Sequence, residues 1–327
     1  MIYKCKSCGG NVVYDPERKR MHCPYCDGVD TQEQEAGKGM ETCSNCGAPV
    51  KAGNYRSAVK CEYCGHYTIF EERVEGKYRP GRILPFRLGK KAATARMEEE
   101  CKRRIFSPES FLSESTLEKM EGSYIPFWLY DMTADCSYSG TGTRIRVWTS
   151  GDTEYTETSY YQVNREMEVE YQKLPVDASI EMDDGIMDLM EPYQYKELTG
   201  FSPEYMSGFL AEVYNHSAQE LAPRAEEKAR ESAKAMLRQT LEGYSALVPS
   251  HENISLQRGE ACYALLPVWW YRYQYKGKDY DFFVNGQTGK VVGHSPISKA
   301  RVAAYGGTFF ACLSAILLLV RAILEVL

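Results

Sequence analysis

Hydrophobic and polar positions change period several times along this chain, and each change marks an element. Over residues 155–171 they mostly alternate. Glu154, Gln162, Asn164, Glu166, Glu168, Glu170 and Gln172 are polar, against Tyr155, Tyr161, Val163, Met167, Val169 and Tyr171. Period two over such a run predicts an antiparallel strand with one wet face. Glu157, Tyr160 and Arg165 break the alternation, which predicts a bulge or bend partway along. Tyr124-Ile125-Pro126-Phe127-Trp128-Leu129-Tyr130 opens this β section, and Ser150-Gly151-Asp152 makes its turn. Later strands are predicted over 263–271, over 280–284 after the Lys276-Gly277-Lys278 turn, and over 290–292 after Asn285-Gly286. Pro126-Phe127-Trp128 and Pro267-Val268-Trp269 look like one element used twice, a helix-then-sheet unit duplicated within the chain. A proline near the start of each fits a strand entry or edge.

Helical spacing fills the gaps. Ile83-Leu84-Pro85-Phe86 is a short apolar strand, followed by a helix over 90–105 with charges crowding 96–104, and Ser107-Pro108-Glu109 restarts the chain. Ser202-Pro203 makes a good N-cap and first-turn pair for a helix to about residue 215. Ser217-x-x-Glu220 resembles a capping box for a helix reaching residue 242, with Pro223 tightening its first turn and Gly243 as its stop. Residues 302–320 run without a charge. As a helix that stretch is roughly 28 Å long, close to the hydrocarbon core of a bilayer. Lys299 and Arg301 precede it and Arg321 follows, placing the N-terminal side in the cytoplasm by the positive-inside rule. The alternative is a buried C-terminal core helix. Few residues follow the span, so the protein is expected to be anchored by its tail, with Arg321 and Glu325 able to pair beyond it.

The N-terminal 64 residues follow neither period; cysteine organises them. Cys5-Lys6-Ser7-Cys8 precedes Cys23-Pro24-Tyr25-Cys26, and Cys43-Ser44-Asn45-Cys46 precedes Cys61-Glu62-Tyr63-Cys64. In each set 14 residues separate the two pairs, and the second set repeats the first at an offset of 38. Thiolates two residues apart grip one face of a tetrahedral ion, and two such knuckles complete the site. Gly9, Gly47 and Gly65 follow three of the knuckles and let the chain turn its N–H groups toward sulfur. Asp27-Gly28 shifts the glycine by one, so the knuckle at Cys26 is expected to be the least regular. Between knuckles run Asn11-Val12-Val13-Tyr14 and Pro49-Val50-Lys51, each expected to lead through a turn to a return strand.

These features predict two zinc ribbons, with Cys5, Cys8, Cys23, Cys26, Cys43, Cys46, Cys61 and Cys64 holding two structural Zn2+ ions. Disulfides, or iron in a rubredoxin-like site, are the alternatives. Rubredoxin-like sites separate their pairs by much more chain, and disulfides suit a secreted protein. About 25 residues cannot build a core unaided, so the metal, at roughly 10–16 kcal/mol per site, is expected to supply most of each ribbon's stability. Cys101, Cys136, Cys262 and Cys312 stand singly and read as small apolar residues. Cys5 and Cys8 occupy the place of a signal peptide's apolar region, so no secretory signal is expected.

The fold class predicted is α+β: ribbons at 1–30 and 40–70, a mainly antiparallel α+β domain at 81–297, and a transmembrane helix at 302–322. Residues 27–42 and 71–80 read as linkers. With 39 Lys/Arg against 45 Asp/Glu the net charge is −6, which argues against a protein that mainly coats nucleic acid. Arg18-Lys19-Arg20 is the one basic cluster and reads as a solvated turn. None of the five His falls in an HExxH motif or a plausible triad, and His22 and His66, although they border Cys23 and Cys64, are not needed as ligands. Gly286-Gln287-Thr288-Gly289-Lys290 has the wrong glycine spacing for a phosphate loop and reads as a hairpin turn. Glu181-x-Asp183-Asp184-Gly185 with Asp188 is a solvated helix cap, or a Ca2+ or Mg2+ site lacking the EF-hand order. Trp128, Trp148, Trp269, Trp270 and Tyr271 read as sheet core or as the lining of a ligand groove.

The eight Cys, Ile83-Leu84-Pro85-Phe86, Tyr124-Ile125-Pro126-Phe127-Trp128, Trp148-x-x-Gly151-Asp152, Pro175-Val176-Asp177, the run from Ala264 to Trp269 and Asn285-Gly286-Gln287-Thr288-Gly289-Lys290 together resemble a family of bacterial membrane proteins with tandem ribbons of the TFIIB type. Such sequences are common in Gram-positive genomes and have no settled activity. They are often labelled as primosomal replication-restart helicases, which also carry paired CxxC knuckles. This chain has no Walker A loop and no helicase core, so only the knuckles are shared. The first reading is therefore a non-enzymatic adaptor at the cytoplasmic face of the cell membrane, recruiting a protein partner and crossing the bilayer once. The second is a nucleic-acid-binding protein at the membrane, using Lys4, Lys6, Arg18, Lys19, Arg20, Lys51, Arg56 and Lys60. The third, an enzyme or receptor with a cleft near Trp128 and Trp269, finds no nucleophile–base pair, and no small molecule is named by the pattern.

Overall fold

The structure, a computed structural model, describes residues 1–34, 42–51, 53–108 and 119–326. Part of the expected 27–42 linker, Glu109, and the Glu325 side chain expected to pair with Arg321 lie outside what it describes.

In the first cysteine segment β1 (Ile2–Cys5) pairs with β4 (Thr31–Gln34), and β2 (Val13–Asp15) with β3 (Arg20–His22), all antiparallel. In the second, β5 (Arg56–Lys60) pairs with β6 (Tyr67–Ile69). The strand expected over Pro49-Val50-Lys51 reduces to a single bridge between Thr42 and Pro49, since Pro49 has no N–H to extend a ladder.

A ten-stranded sheet forms the body. It adds β7 (Arg82–Ile83), β8 (Glu121–Ser150), β9 (Thr153–Asp177), β10 (Thr199–Gly200), β11 (Leu210–Glu212), β12 (Ala246–Tyr275), β13 (Lys278–Asn285) and β14 (Val291–Gly293). The order is β10-β7-β12-β8-β11-β5-β6, with β9 on β8, β13 on β12 and β14 on β13. The second cysteine segment therefore continues the sheet: Ala211 of β11 pairs with Ala58 on one side and with Tyr124 on the other.

Residue 203 onward departs from the helix that Ser202-Pro203 predicts. Pro203–Met206 makes only a 3-10 turn. Gly208 follows at φ +93°, where an added Cβ would meet Val13 at 3.0 Å, and the chain enters β11. The strand forms because β8 and β5 offer it a ladder on both sides, a gain that no local helix signal matches.

The alternation in β9 does produce a strand, and its register against β8 is unbroken from Ser150↔Thr153 to Met132↔Tyr171. The expected irregularity lies beyond Tyr171, where Asp131 accepts a hydrogen bond from the Lys173 N–H at 2.8 Å, not at Glu157, Tyr160 or Arg165. Glu157 and Tyr160 break the pattern because that end of the strand is uncovered on both faces, whereas Arg165 lies on the covered face and donates to the Thr240 carbonyl at 3.2 Å. Pro126-Phe127-Trp128 and Pro267-Val268-Trp269 lie on neighbouring antiparallel strands, Pro267 opposite Tyr124.

Four helices are described: α1 (Lys90–Arg103), α2 (Asp184–Leu189), α3 (Ala218–Thr240) and α4 (Lys299–Val326). Ser217 and Glu220 form the expected capping box of α3. Its Ala222, Ala225, Ala229, Ala233 and Leu237 make a buried stripe of mostly small side chains over Tyr130, Met132, Ala134, Cys136 and Tyr138. Asp183 caps α2 by accepting from the Ile186 N–H. Asp184 stays exposed and Asp188 partly exposed, as expected, and both also pair with Arg224, Asp188 with Lys228 too at 2.9 Å.

The cysteine segments dock on this body. Val12, Tyr14, Met21 and Cys23 share one core with Phe86, Tyr124, Met206, Phe209 and Trp269. The Tyr14 N–H donates to the Ser207 carbonyl at 2.9 Å, and the Ser207 hydroxyl to the Val12 carbonyl at 2.7 Å. The amino terminus donates to the Ile69 carbonyl at 2.7 Å, joining the two segments.

The C-terminal helix is the opposite case. The most apolar 18-residue stretch of Lys299–Arg321 has a mean hydropathy of 2.0 and none of it is buried; Phe309 and Phe310 are each 72% exposed. A core helix would hide such residues, so the buried alternative fails. This helix is long and apolar enough to cross a membrane.

Candidate metal centres

The four sulfurs of each cysteine set lie within 4.8 Å of one another. Cys5–Cys26 and Cys8–Cys23 are 3.5 Å apart, and Cys43–Cys64 and Cys46–Cys61 are 3.7 Å apart. A tetrahedral ion with metal–sulfur bonds of about 2.3 Å sets its sulfurs ~3.8 Å apart, whereas a disulfide needs about 2.05 Å. All eight cysteines are free thiols, so the disulfide alternative fails and the geometry suits a tetrahedral metal. In every pair the first cysteine is buried and the second exposed, as expected of a knuckle capping a metal from the surface side.

The four knuckles share one backbone design. Gly9, Asp27, Gly47 and Gly65 donate their N–H to the carbonyls of Cys5, Cys23, Cys43 and Cys61, at 2.9 Å in every case. Their φ values are +71°, +62°, +73° and +69°. The knuckle at Cys26 is therefore as regular as the others, contrary to the sequence expectation. Aspartate tolerates the left-handed region, and here Asp27 is held by Arg18 and by His22 at 3.0 Å. Gly28 serves another need: a Cβ there would lie 3.2 Å from the Cys5 sulfur and 3.3 Å from that of Cys26.

Electrostatics favour a cation in each set. The backbone N–H groups of Cys8 and Ser7 bring the Cys5 thiol down to about 6. Burial raises Cys64, but the Asn45 side chain and the His66 N–H outweigh it and bring it down to about 6. Their neighbours move the other way. The Gly28 N–H favours the Cys26 thiolate, yet the adjacent Cys8 and Cys5 sulfurs push Cys26 up. Four sulfurs this close do not ionise together without a compensating dication, and a dication with four thiolates carries about −2.

His22 and His66 stay outside the ligand sets, which are cysteine alone. His66 is 6% exposed, and its burial, with Lys4 and the amino terminus nearby, pulls it down to about 4. Sequence reasoning missed two supporting donors: Asn45 Nδ2 lies 3.6 Å from the Cys64 sulfur, and Thr68 Oγ1 lies 3.8 Å from that of Cys43. Most of the aromatic set is sheet core, as one of its two readings has it: Trp269 and Tyr271 share one buried cluster against which Trp128 packs, and Trp270 packs against a second. Trp269 is buried and donates to the Leu88 carbonyl, Trp128 donates to the His216 carbonyl, and Trp148 lies exposed near the β8–β9 turn. Residues 285–290 form the expected turn, with Asn285 Oδ1 accepting from the N–H groups of Gln287 and Thr288.

No family model matches this chain, and no solved structure matches it. A curated protein does: the chain is 34% identical over 326 residues to the uncharacterized protein YdjG of Bacillus subtilis (strain 168), across 94% of this chain and 95% of that one. With the likeness covering nearly the whole of both chains, this chain belongs to the family of YdjG.

Proposed function

We propose that this chain is a zinc-ribbon adaptor of the TFIIB type, tethered to the cell membrane by α4 in a single pass, with its zinc-bearing bulk in the cytoplasm and a protein as its partner. The observation that carries the reading is the closure of both centres. Four cysteine sulfurs occupy all the positions of each tetrahedron, which leaves no place for a reacting water, so zinc here organises backbone. Free thiols suit a reducing compartment, and Lys299 and Arg301 before α4 favour the same side of the bilayer.

Nucleic acid is the second reading, and the cations of the ribbons weigh on it. Arg18 pairs with Asp15 and Asp27, Arg56 with Glu181 and Glu212, and Lys60 with Glu121 at 2.9 Å. Lys4 donates to Asn11 and Asn45. An open cleft of about 610 Å³ beside the second centre contains Lys51, Arg56 and Lys60, but Glu62 and Glu121 line it too. The carboxylates paired with Arg18, Arg56 and Lys60 blunt the field that a phosphate backbone would need, whereas Lys4 keeps its charge between neutral amides.

The test is binding of DNA and RNA oligonucleotides to the intact chain in detergent at low and high salt. The adaptor reading expects no salt-dependent binding. Binding that falls steeply with salt and vanishes on removal of the metal would give first place to the nucleic-acid reading.

A further inference from the structure

We propose that the uncovered face of the arm formed by β8, β9 and β12 is where the adaptor's partner docks, and that the partner offers an extended segment with basic and apolar side chains. This rests on the adaptor reading and gives it a surface and a partner chemistry.

The arm is a three-stranded ribbon with two unlike faces. Met132, Ala134, Cys136 and Tyr138 of β8 are buried on the face that α3 covers. The residues between them point the other way, where no described element lies over them. There β9, β8 and β12 align in rows, Glu170–Thr133–Gln257, Glu168–Asp135–Ser255 and Glu166–Ser137–Asn253. Between Thr133 and Thr149 this face carries Asp135, Glu154, Glu166, Glu168 and Glu170 and no lysine or arginine. Asp135 and Glu168 stand directly opposite each other, a like-charge pair in which Asp135 accepts from the Gln257 amide at 3.0 Å but faces no cation among the described residues, so an arriving lysine or arginine would relieve it.

Toward its end the same face turns apolar. Ile145 is 52% exposed, Val147 54%, Tyr160 73% and Val248 67%. An exposed apolar group continuous with an acidic stretch is the make-up of a docking surface rather than of a solvated one. Charge complementarity chooses the occupant. Carboxylates repel a phosphate backbone and an anionic lipid surface alike, and they attract lysine and arginine. Glu166, Glu168 and Glu170 repeat every second residue, about 7 Å apart, which is the repeat of an extended peptide with basic residues at alternate positions. The arm also stands clear of the anchor. β12 runs from Ala246, opposite Thr143, to Tyr271, opposite Phe282, and Phe282 pairs with Gly293 shortly before α4 begins. At about 3.3 Å per residue that separates the arm's end from the anchor side by up to ~80 Å.

The test uses the intact chain in detergent and a labelled, short, alternating Lys-Val peptide, with its Glu-Val counterpart as the opposite-charge probe. The Lys-Val peptide is expected to bind, more weakly as salt rises, and the Glu-Val peptide is not. Glu166→Gln/Glu168→Gln/Glu170→Gln and, separately, Ile145→Ser/Val147→Ser should each weaken binding about tenfold. Glu98→Gln/Glu99→Gln/Glu100→Gln on α1, an equal change of charge elsewhere, should leave it unchanged. Absence of binding, binding indifferent to the arm substitutions, or equal loss in the α1 variant overturns the proposal. So does self-association of the chain that Ile145→Ser/Val147→Ser abolishes, because the face would then belong to a second copy. Metal content and oligonucleotide binding are read on the same preparations. Zinc-dependent oligonucleotide binding with the peptide result intact would count against the adaptor reading of the ribbons, whereas loss of the peptide result alone would count against the arm.

Discussion

Asp27 and Gly28 divide between them two roles that a sequence cannot separate: taking the left-handed turn and leaving room for sulfur. Asp27 makes the turn at φ +62°, so Asp27→Gly should leave the first centre intact. Gly28→Ala places a methyl 3.2 Å from the Cys5 sulfur and should weaken metal retention there by about tenfold, as loss of a ligand's supporting shell does. Competition with a chromophoric chelator measures both. His66 gives a prediction in pH. Unfolded it titrates near 6.5, and folded it is held near 4 by burial. A depressed value means that the folded state binds fewer protons, so its stability is full above pH ~6.5 and is lost as pH falls toward 4, by about 2 kcal/mol between pH 7 and 5. His66→Gln should flatten that part of the stability-against-pH curve in denaturant melts, and an unchanged slope would assign the acid sensitivity to the thiolates. Both four-cysteine groupings were legible at this scale because CxxC spacing is local chemistry. Asn45 and Thr68 were not, because a donor to sulfur is defined by where the fold brings it.

Elements were legible wherever one periodicity ran long enough. The alternation of β9 and the capping box of α3 both signal what formed. β11 was hidden: three residues carry no period, and Ser202-Pro203 gives a helix signal that the fold spends on a single 3-10 turn. β8 was legible only in pieces, because its partners change along its length from β11 to β9 and its faces pass from core to arm. β11 also carries one end of a buried ion pair. Glu212 has a fully buried side chain, accepts from the Ser179 hydroxyl at 2.6 Å, and lies 3.6 Å from Arg56 of β5. Arg56→Ala leaves that carboxylate without its cation and should cost about 3 kcal/mol in denaturant unfolding. Adding Glu212→Gln should recover part of the loss, and no recovery would mean that Arg56 acts through packing.

At the scale of the whole molecule the sequence reads as separate modules, but the fold joins the cysteine segments to the body. The first shares a core with Phe86 and Trp269, and the second supplies two strands of the large sheet. Linker composition in 71–80 hides this, because Val74 within it is buried at 3% exposure and the contacts lie far apart in sequence. Metal binding should therefore be felt beyond the ribbons. The most direct measurement is elemental analysis of the intact chain in detergent, followed by hydrogen exchange before and after chelation. The account predicts two zinc ions per chain. On chelation, exchange should rise in β1–β6, at Ser207 and in β11, with the arm strands of β8 and β12 still protected. Iron, less than one zinc per chain, or amides around Ser207 and β11 that stay protected without metal would contradict it.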